Sequence, residues 1–296
     1  MIYAIASGKG GTGKTTVTAS LASVWEGPLT AVDLDVEEPN LHLFLHPEIA
    51  SETPAMLEVP TVDAERCILC GECASFCQFK ALSVMGNTLL LFPEMCHGCG
   101  GCLALCPEGA LLPAERELGT VLQGHAGPIT FIMGQLRVGE AMSPPLMRQV
   151  KRRFTRRVPS APAHPGDVLI DSPPGVSCPA VNAVMDADCV VLVTEPTPFG
   201  LHDLRLAVQA FRPLGKPLGV VINRAGIGDA GVQDFCREEN IPVWAEIPFS
   251  RAAAEAYSRG EVIATAQPEL REAFRTLMKN MREAATAHMA KEVAHA

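Results

Sequence analysis

The 296-residue chain is short of basic residues: 24 lysines and arginines stand against 33 aspartates and glutamates, for a net charge of −9 with histidine neutral. A surface that neutralises phosphates needs the opposite balance, so nucleic acid is not expected as a partner. No apolar run reaches the roughly 18 residues that a membrane-crossing helix requires, so no transmembrane span is expected. The first residues, Met1-Ile-Tyr-Ala-Ile-Ala-Ser7, are apolar but lack a basic flank. They read as a buried strand rather than a secretion signal, and a cytoplasmic location is expected. Disulfides are rare in that setting, so eleven cysteines need another use, and eight of them fall at metal-ligand spacing. The length allows a full core in one large domain or in two.

What is present starts at Gly8. The run Gly8-Lys-Gly-Gly-Thr-Gly-Lys-Thr15 fits G-x-x-x-x-G-K-[ST], a phosphate-binding loop. Glycines let backbone N–H groups turn inward and approach phosphate oxygens. The helix that follows adds its positive N-terminal end. Lys14 supplies a point charge for the β- and γ-phosphates, and the Thr15 hydroxyl supplies a Mg²⁺ ligand. The expected nucleotide contacts are Gly8, Gly10, Gly11, Thr12, Gly13, Lys14, Thr15 and Thr16. Gly8, Gly10 and Gly13 also satisfy the dinucleotide pattern G-x-G-x-x-G, but Lys14-Thr15 after the last glycine favours the phosphate loop. Lys9 adds a second lysine near the start of the loop. With it the loop resembles the deviant P-loop of the MinD/ParA superfamily, which includes Mrp-type carriers and the nitrogenase iron protein. The resemblance implies a catalytic Lys9 that reaches a partner subunit's phosphates, hence a homodimer with ATP between its subunits. The competing reading is a solvated loop lysine.

The same resemblance interprets the acidic residues. Leu29–Val32 reads as a strand that delivers Asp33-Leu-Asp35 to the region of switch I. It implies that Asp35 orients the attacking water and that Asp33 serves Mg²⁺ waters or lysine contacts; a polar loop or helix cap is the bland alternative. Asp167-Val-Leu-Ile-Asp171 is an apolar strand ending in an aspartate able to hold a Mg²⁺ water, and Ser172-Pro-Pro-Gly175 resembles switch II. Asn223, with Arg224 beside it, falls where the superfamily reads the adenine edge. Ile247-Pro248-Phe249-Ser250 resembles the loop packed against the base.

Between these landmarks stand two cysteine runs. Cys67-x₂-Cys70-x₂-Cys73-x₃-Cys77 recurs, shifted by 29 residues throughout, as Cys96-x₂-Cys99-x₂-Cys102-x₃-Cys106-Pro107. This is the bacterial two-cluster ferredoxin pattern, in which the fourth cysteine of each run serves the other cluster. One [4Fe–4S] cluster is therefore expected on Cys67, Cys70, Cys73 and Cys106, and the other on Cys77, Cys96, Cys99 and Cys102. Gln78 departs from the proline that usually follows the fourth cysteine. Zinc also binds C-x₂-C pairs, but two complete four-cysteine runs favour clusters. His97 reads as a packing or hydrogen-bonding residue between ligands. Cys178 lies seven residues after Asp171, near the spacing of a cluster ligand in the nitrogenase iron protein, but a small buried or near-switch cysteine is the default. Cys189 and Cys236 read as core.

The expected fold is α/β: a doubly wound, mostly parallel P-loop sheet formed by 1–57 and 114–296, with a small α+β bacterial-type ferredoxin domain inserted at 58–113. Gly119–Met133 and Gly134–Glu140 read as short strands returning to the host, Met142–Arg157 as a helix, and the segment from Pro268 as a helix packed on its own domain. An ATPase with two low-potential clusters admits three uses: ATP-gated electron transfer to a partner protein, delivery of a cluster to a client, or spatial organisation of the MinD type.

Overall fold

A computed structural model describes residues 1–155 and 166–295. The first half of the chain runs β1 (Ile2–Ala6), α1 (Lys14–Val24), β2 (Leu29–Asp33), α2 (His42–Leu45), β3 (Glu48–Val62), α3 (Glu72–Phe76), β4 (Leu82–Met85), β5 (Thr88–Leu91), α4 (Gly101–Leu105), β6 (Leu111–Ala126), β7 (Ile129–Leu136) and α5 (Ser143–Thr155). The second half continues with β8 (Asp167–Asp171), α6 (Cys178–Val184), β9 (Cys189–Thr194), α7 (Pro198–Phe211), β10 (Leu218–Ala225), α8 (Gly231–Glu238), β11 (Val243–Pro248), α9 (Arg251–Ser258), α10 (Ile263–Ala266) and α11 (Arg271–His295). Among these residues no helix is long and apolar enough to cross a membrane.

Nine strands form one sheet in the order β11-β10-β9-β1-β8-β2-β7-β6-β3, parallel from β11 to β7 and antiparallel from β7 to β3. Alternation along the central strands explains why it is covered on both faces. Ala4 and Ala6 point with Val32, Ile170 and Leu192 into a core closed by α5, α6, α7 and α8. Tyr3 and Ile5 point the other way, with Leu169, Val191 and Val193, towards α1 and α11. Leu270, Phe274, Leu277, Met278 and Met281 all lie in this second core, so the last helix packs on its own domain. The chain leaves β1 towards β2 and later returns to build β9, β10 and β11 on the other side. That reversal opens a crevice at the carboxyl end of β1, where the glycine loop lies.

The return from the cysteine region differs from the expected pair of short strands. β6 begins at Leu111 and runs without a break to Ala126, turns at Gly127, and is followed by β7. Residues 137–142 form no strand. β6 pairs with β3 from Val62↔Leu111 down to Glu48↔His125, so a long two-stranded ribbon carries the cysteine region away from the sheet. β7 joins only the lower part, from Gly119 to Ala126. The expected borders at 57/58 and 113/114 fall inside this ribbon. α5 runs from Ser143 to Thr155, within the expected helix Met142–Arg157, whose Arg156 and Arg157 lie outside the described residues.

The segment at the ribbon's tip repeats itself in space as in sequence. α3 and α4 are 29 residues apart, each entered through a left-handed glycine, Gly71 and Gly100. Leu69 and Gly98, and Lys80 and Gly109, are further left-handed pairs at that offset. A side chain in this region of φ is costly, so Leu69 and Lys80 keep the turn because the surrounding chain dictates it.

Candidate functional site

The glycine loop leaves β1 and enters α1 through Gly13, whose φ of 89° a side chain would strain. Tight packing adds a second reason for glycine: a Cβ on Gly13 would stand 2.2 Å from Asn223 Nδ2, and one on Gly8 would stand 2.1 Å from the Asp203 carbonyl oxygen. At Gly10 and Gly11 a Cβ would meet no protein atom within 4 Å. They border a cavity of about 380 Å³ whose lining brings together Lys9, Thr12, Gly13, Lys14, Thr15, Thr16, Asp35, Asn223, Arg224 and Pro248. Phe249, Tyr257 and Ile263 line it too. Open glycine backbone at a helix start, beside a lysine, fits a polyphosphate.

Behind the loop lies a buried knot of charge. The Asp171 carboxylate accepts hydrogen bonds from Lys14 Nζ at 3.1 Å, Thr15 Oγ1 at 2.6 Å and Thr18 Oγ1 at 3.0 Å. Asp33 is fully buried and accepts from three backbone amides, those of Asp35, Asn40 and Leu41, at 2.9–3.0 Å. Its oxygens therefore fold the loop after β2. Burial raises the Asp33 carboxyl well above the ordinary range, and Asp171 adds to it. Burial also pushes Asp35 up to about 6, with Lys14 opposing and Asp171 reinforcing the rise. Burial works against the Lys14 charge, but Asp171, Asp35 and Asp33 outweigh it and hold its pKa above the usual lysine value. Three carboxylates share one lysine, and a hard divalent cation beside Thr15 and Asp171 would balance the excess.

The other expected contacts are already engaged. Lys9 lies 3.6 Å from Asp203 on α7, with Phe199 beneath its ammonium. Asn223 donates from Nδ2 to the Thr12 carbonyl and accepts the Arg224 amide, leaving one N–H and one lone pair for a base. Arg224 pairs with Glu195 at 2.6 Å. Thr18, Asp203 and Tyr257 escaped the sequence reading. Thr18 could have been found from its place one helical turn after Lys14, on the same face of α1.

At the tip of the ribbon the eight cysteines divide between two cavities. Cys67, Cys70, Cys73 and Cys106 line one; Cys77, Cys96, Cys99 and Cys102 line the other. Each therefore has three cysteines of one run and the last of its repeat. Burial raises the Cys73 thiol, and Cys70, Cys106 and Cys67 add to the rise. Burial raises Cys102 likewise, with Cys96 and Cys99 adding. Backbone amides of Ala81 and Ala110, again 29 residues apart, donate to the sulfurs of Cys77 and Cys106. Among the described residues no three His, Cys, Asp or Glu side chains are gathered tightly enough to chelate a single ion. Such a site would need sulfurs about 2.3 Å from one zinc. Four cysteines lining an apolar cavity would be able to hold a polynuclear group, and amide donors of this kind tune its sulfurs. His97 stacks on Phe79 with centroids 3.5 Å apart. Cys178 is exposed at the first residue of α6, not buried, whereas Cys189 and Cys236 are core.

This loop, at the switch point of a doubly wound sheet and backed by Asp171, defines a P-loop nucleotide-binding protein. The chain belongs to the CobQ/CobB/MinD/ParA nucleotide binding domain family, which matches residues 3–263. An uncharacterized protein of Methanocaldococcus jannaschii is 29% identical over 271 residues, covering 88% of this chain and 90% of that protein. An iron-sulfur cluster carrier protein of Methanococcus maripaludis is 29% identical over 132 residues, 39% of this chain and 46% of its own length. The septum site-determining protein MinD of Pyrococcus horikoshii, solved with Mg-ADP, shares the fold with a TM-score of 0.57 at 20% identity, covering 97% of this chain and 98% of that one.

Proposed function

We propose that the chain is a homodimeric MgATP-hydrolysing protein that couples its nucleotide state to two [4Fe–4S] clusters and passes electrons to a partner protein. The observation that carries this reading is the division of the eight cysteines into two crossed sets of four on a ribbon continuous with the P-loop sheet. Gly8, Gly10, Gly11, Thr12, Gly13 and Thr16 cradle the phosphates, and Lys14 neutralises their charge. Thr15 and Asp171 hold Mg²⁺, with Asp33 adding to the field while it folds the loop that carries Asp35. Asp35 accepts a hydrogen bond from the attacking water. Lys9 exchanges Asp203 for the phosphates across the dimer. Asn223, Arg224 and Pro248 take the base. Each cysteine set would hold one cluster, which stores one electron when bound.

The test is an anaerobic EPR redox titration of both clusters without nucleotide, with MgADP and with a non-hydrolysable MgATP analogue. A one-electron midpoint shift of about 60 mV corresponds to a tenfold coupling. Superimposable titrations, together with unchanged electron delivery by Lys14→Ala, would sink the gated reading. The partial similarity to a cluster carrier protein supports a second reading, delivery of a cluster to a client. Chasing labelled iron into an iron-free acceptor decides it: no ATP-dependent transfer above the chemical background removes this alternative.

A further inference from the structure

The helix α5 joins α6, which follows the segment leaving Asp171, to the cysteine ribbon. Its buried face, Leu146, Met147, Val150 and Phe154, lies in the core against the sheet and α6. Near its C-terminal end the buried Lys151 donates to the Asn182 carbonyl oxygen at 2.6 Å and pairs with Asp186 at 2.6 Å. Asn182 is on α6, and Asp186 follows that helix by two residues. α6 begins four residues after Pro174, which lines the nucleotide cavity, in the segment that leaves Asp171.

At the other end, Met142 precedes α5 and is buried with Leu57, Val59, Ala81, Leu118 and Cys96. Cys77 packs against the same group, and Cys77 and Cys96 both line the second cysteine cavity. Two polar ties fix this end. Glu140 accepts the Met142 amide and forms a buried pair with Arg116 of the ribbon. Gln149 donates to the Met56 carbonyl oxygen at 2.9 Å, beside the register shift between Ala55 and Met56. A helix of 13 residues spans about 20 Å and transmits displacement as a stiff body.

We infer that α5 is a strut through which the segment after Asp171, acting through α6, moves the wall of the Cys77/Cys96 cavity, with Lys151 as its positioning residue at the α6 end. This rests on the nucleotide-gated reading above. It also singles out one cysteine set: Glu58, Val59 and Pro60 of β3 line the Cys77/Cys96 cavity, whereas the cavity of Cys67, Cys70, Cys73 and Cys106 has no lining residue from β3.

Amide hydrogen exchange of the ribbon, residues 54–62 and 111–119, tests this in the intact dimer with and without the MgATP analogue. The expected wild-type change is about tenfold, within the range of allosteric couplings. Lys151→Met keeps the aliphatic stem and should abolish that change while nucleotide affinity stays as in the wild type. Asp186→Asn removes the same pair from its exposed side and serves should Lys151→Met not fold. In the redox titration the variant should lose the nucleotide-dependent shift of the Cys77 set, about 59 mV for a tenfold effect. A ribbon response intact in both variants overturns the strut. So does a wild-type ribbon that ignores a nucleotide the protein demonstrably binds. Failure to bind nucleotide at all overturns the underlying reading instead.

Discussion

The nucleotide cavity and the cysteine cavities are built on opposite principles. Around the glycine loop three charged groups already have protein partners: Asp171 with Lys14, Thr15 and Thr18, Lys9 with Asp203, Arg224 with Glu195. Binding there is an exchange of partners, and the site stands without its ligand. Around the cysteine cavities the walls are apolar, and burial with neighbouring sulfurs disfavours the Cys73 and Cys102 thiolates. Binding of the proposed clusters there would complete a structure, because a cationic core would offset thiolate repulsion and couple folding to ligation. The two regions should respond differently to loss of ligand and to loss of one side chain.

The largest effect is expected in the insert. Chelating the iron should unfold residues 63–110 while the P-loop sheet stays folded, seen as protease cleavage confined to that segment. Cleavage spread over both regions would break the contrast. Cys102→Ala should remove about half the bound iron and sulfide, since Cys102 belongs to one set only. Next comes Lys14→Ala. Removing a preorganised charge from a phosphoryl-transfer site costs about 10²–10³ in turnover. It also leaves the buried Asp171 with two hydroxyl partners and no counter-charge, which costs up to about 3–5 kcal/mol. A variant that keeps both turnover and thermal stability would mean that Asp171 needs no cation.

A smaller effect separates the regions by pH. Asp35 has its carboxyl raised to about 6, first by burial. As the proposed water-orienting base it must be ionised, so hydrolysis should fall as pH drops through about 6, and bound Mg²⁺ moves that limb lower. The stability linkage has the opposite sign. A carboxyl that holds its proton more tightly when folded stabilises the fold at low pH and loses that contribution as pH rises towards 6. Asp35→Asn should therefore flatten the stability profile of the sheet between about pH 4 and 6 while abolishing hydrolysis. An acid limb unchanged in wild-type enzyme when Mg²⁺ is varied would point to another titrating group.

Much of this was legible in the sequence, for physical reasons. The P-loop, Asp33, Asp35 and Asp171 sit at the carboxyl ends of apolar strands, and such strands declare themselves by burial on both faces. The crossed cysteine sets are what the resemblance of the two runs to the two-cluster ferredoxin pattern implies, and the two cavities have the same composition. The ribbon was not legible. Pro54, Pro60 and Pro113 and the charged Glu115-Arg116-Glu117 break the apolar alternation that announces a strand. Yet β3 is an edge strand, and β6 has no β7 partner above Gly119, so prolines there need satisfy only one neighbour. Alternation of buried Ala55, Leu57 and Val59 with exposed Met56 and Glu58 was the available signal. The pairing of Lys151 was hidden because its partner is distant in sequence, whereas the position of Thr18 one turn after Lys14 was the available signal. Only the tertiary fold brings Thr18 to Asp171 and Lys151 to Asp186.

The smallest effect sharpens what exchange of partners means. Asn223 fastens β10 to the glycine loop through the Thr12 carbonyl, and its amide keeps one donor and one acceptor for a base. Asn223→Ala loses both services, each worth about 1 kcal/mol, so nucleotide affinity should fall about tenfold or somewhat more. The two services separate by ligand. Inorganic triphosphate has no base, so its affinity should fall only by the share due to the loosened loop. If ATP and triphosphate weaken equally, Asn223 acts as a fastener alone and base selection lies with the Pro248 and Phe249 side of the cavity. If triphosphate binding is untouched, the loop holds its shape through Gly13 and α1 without help from β10.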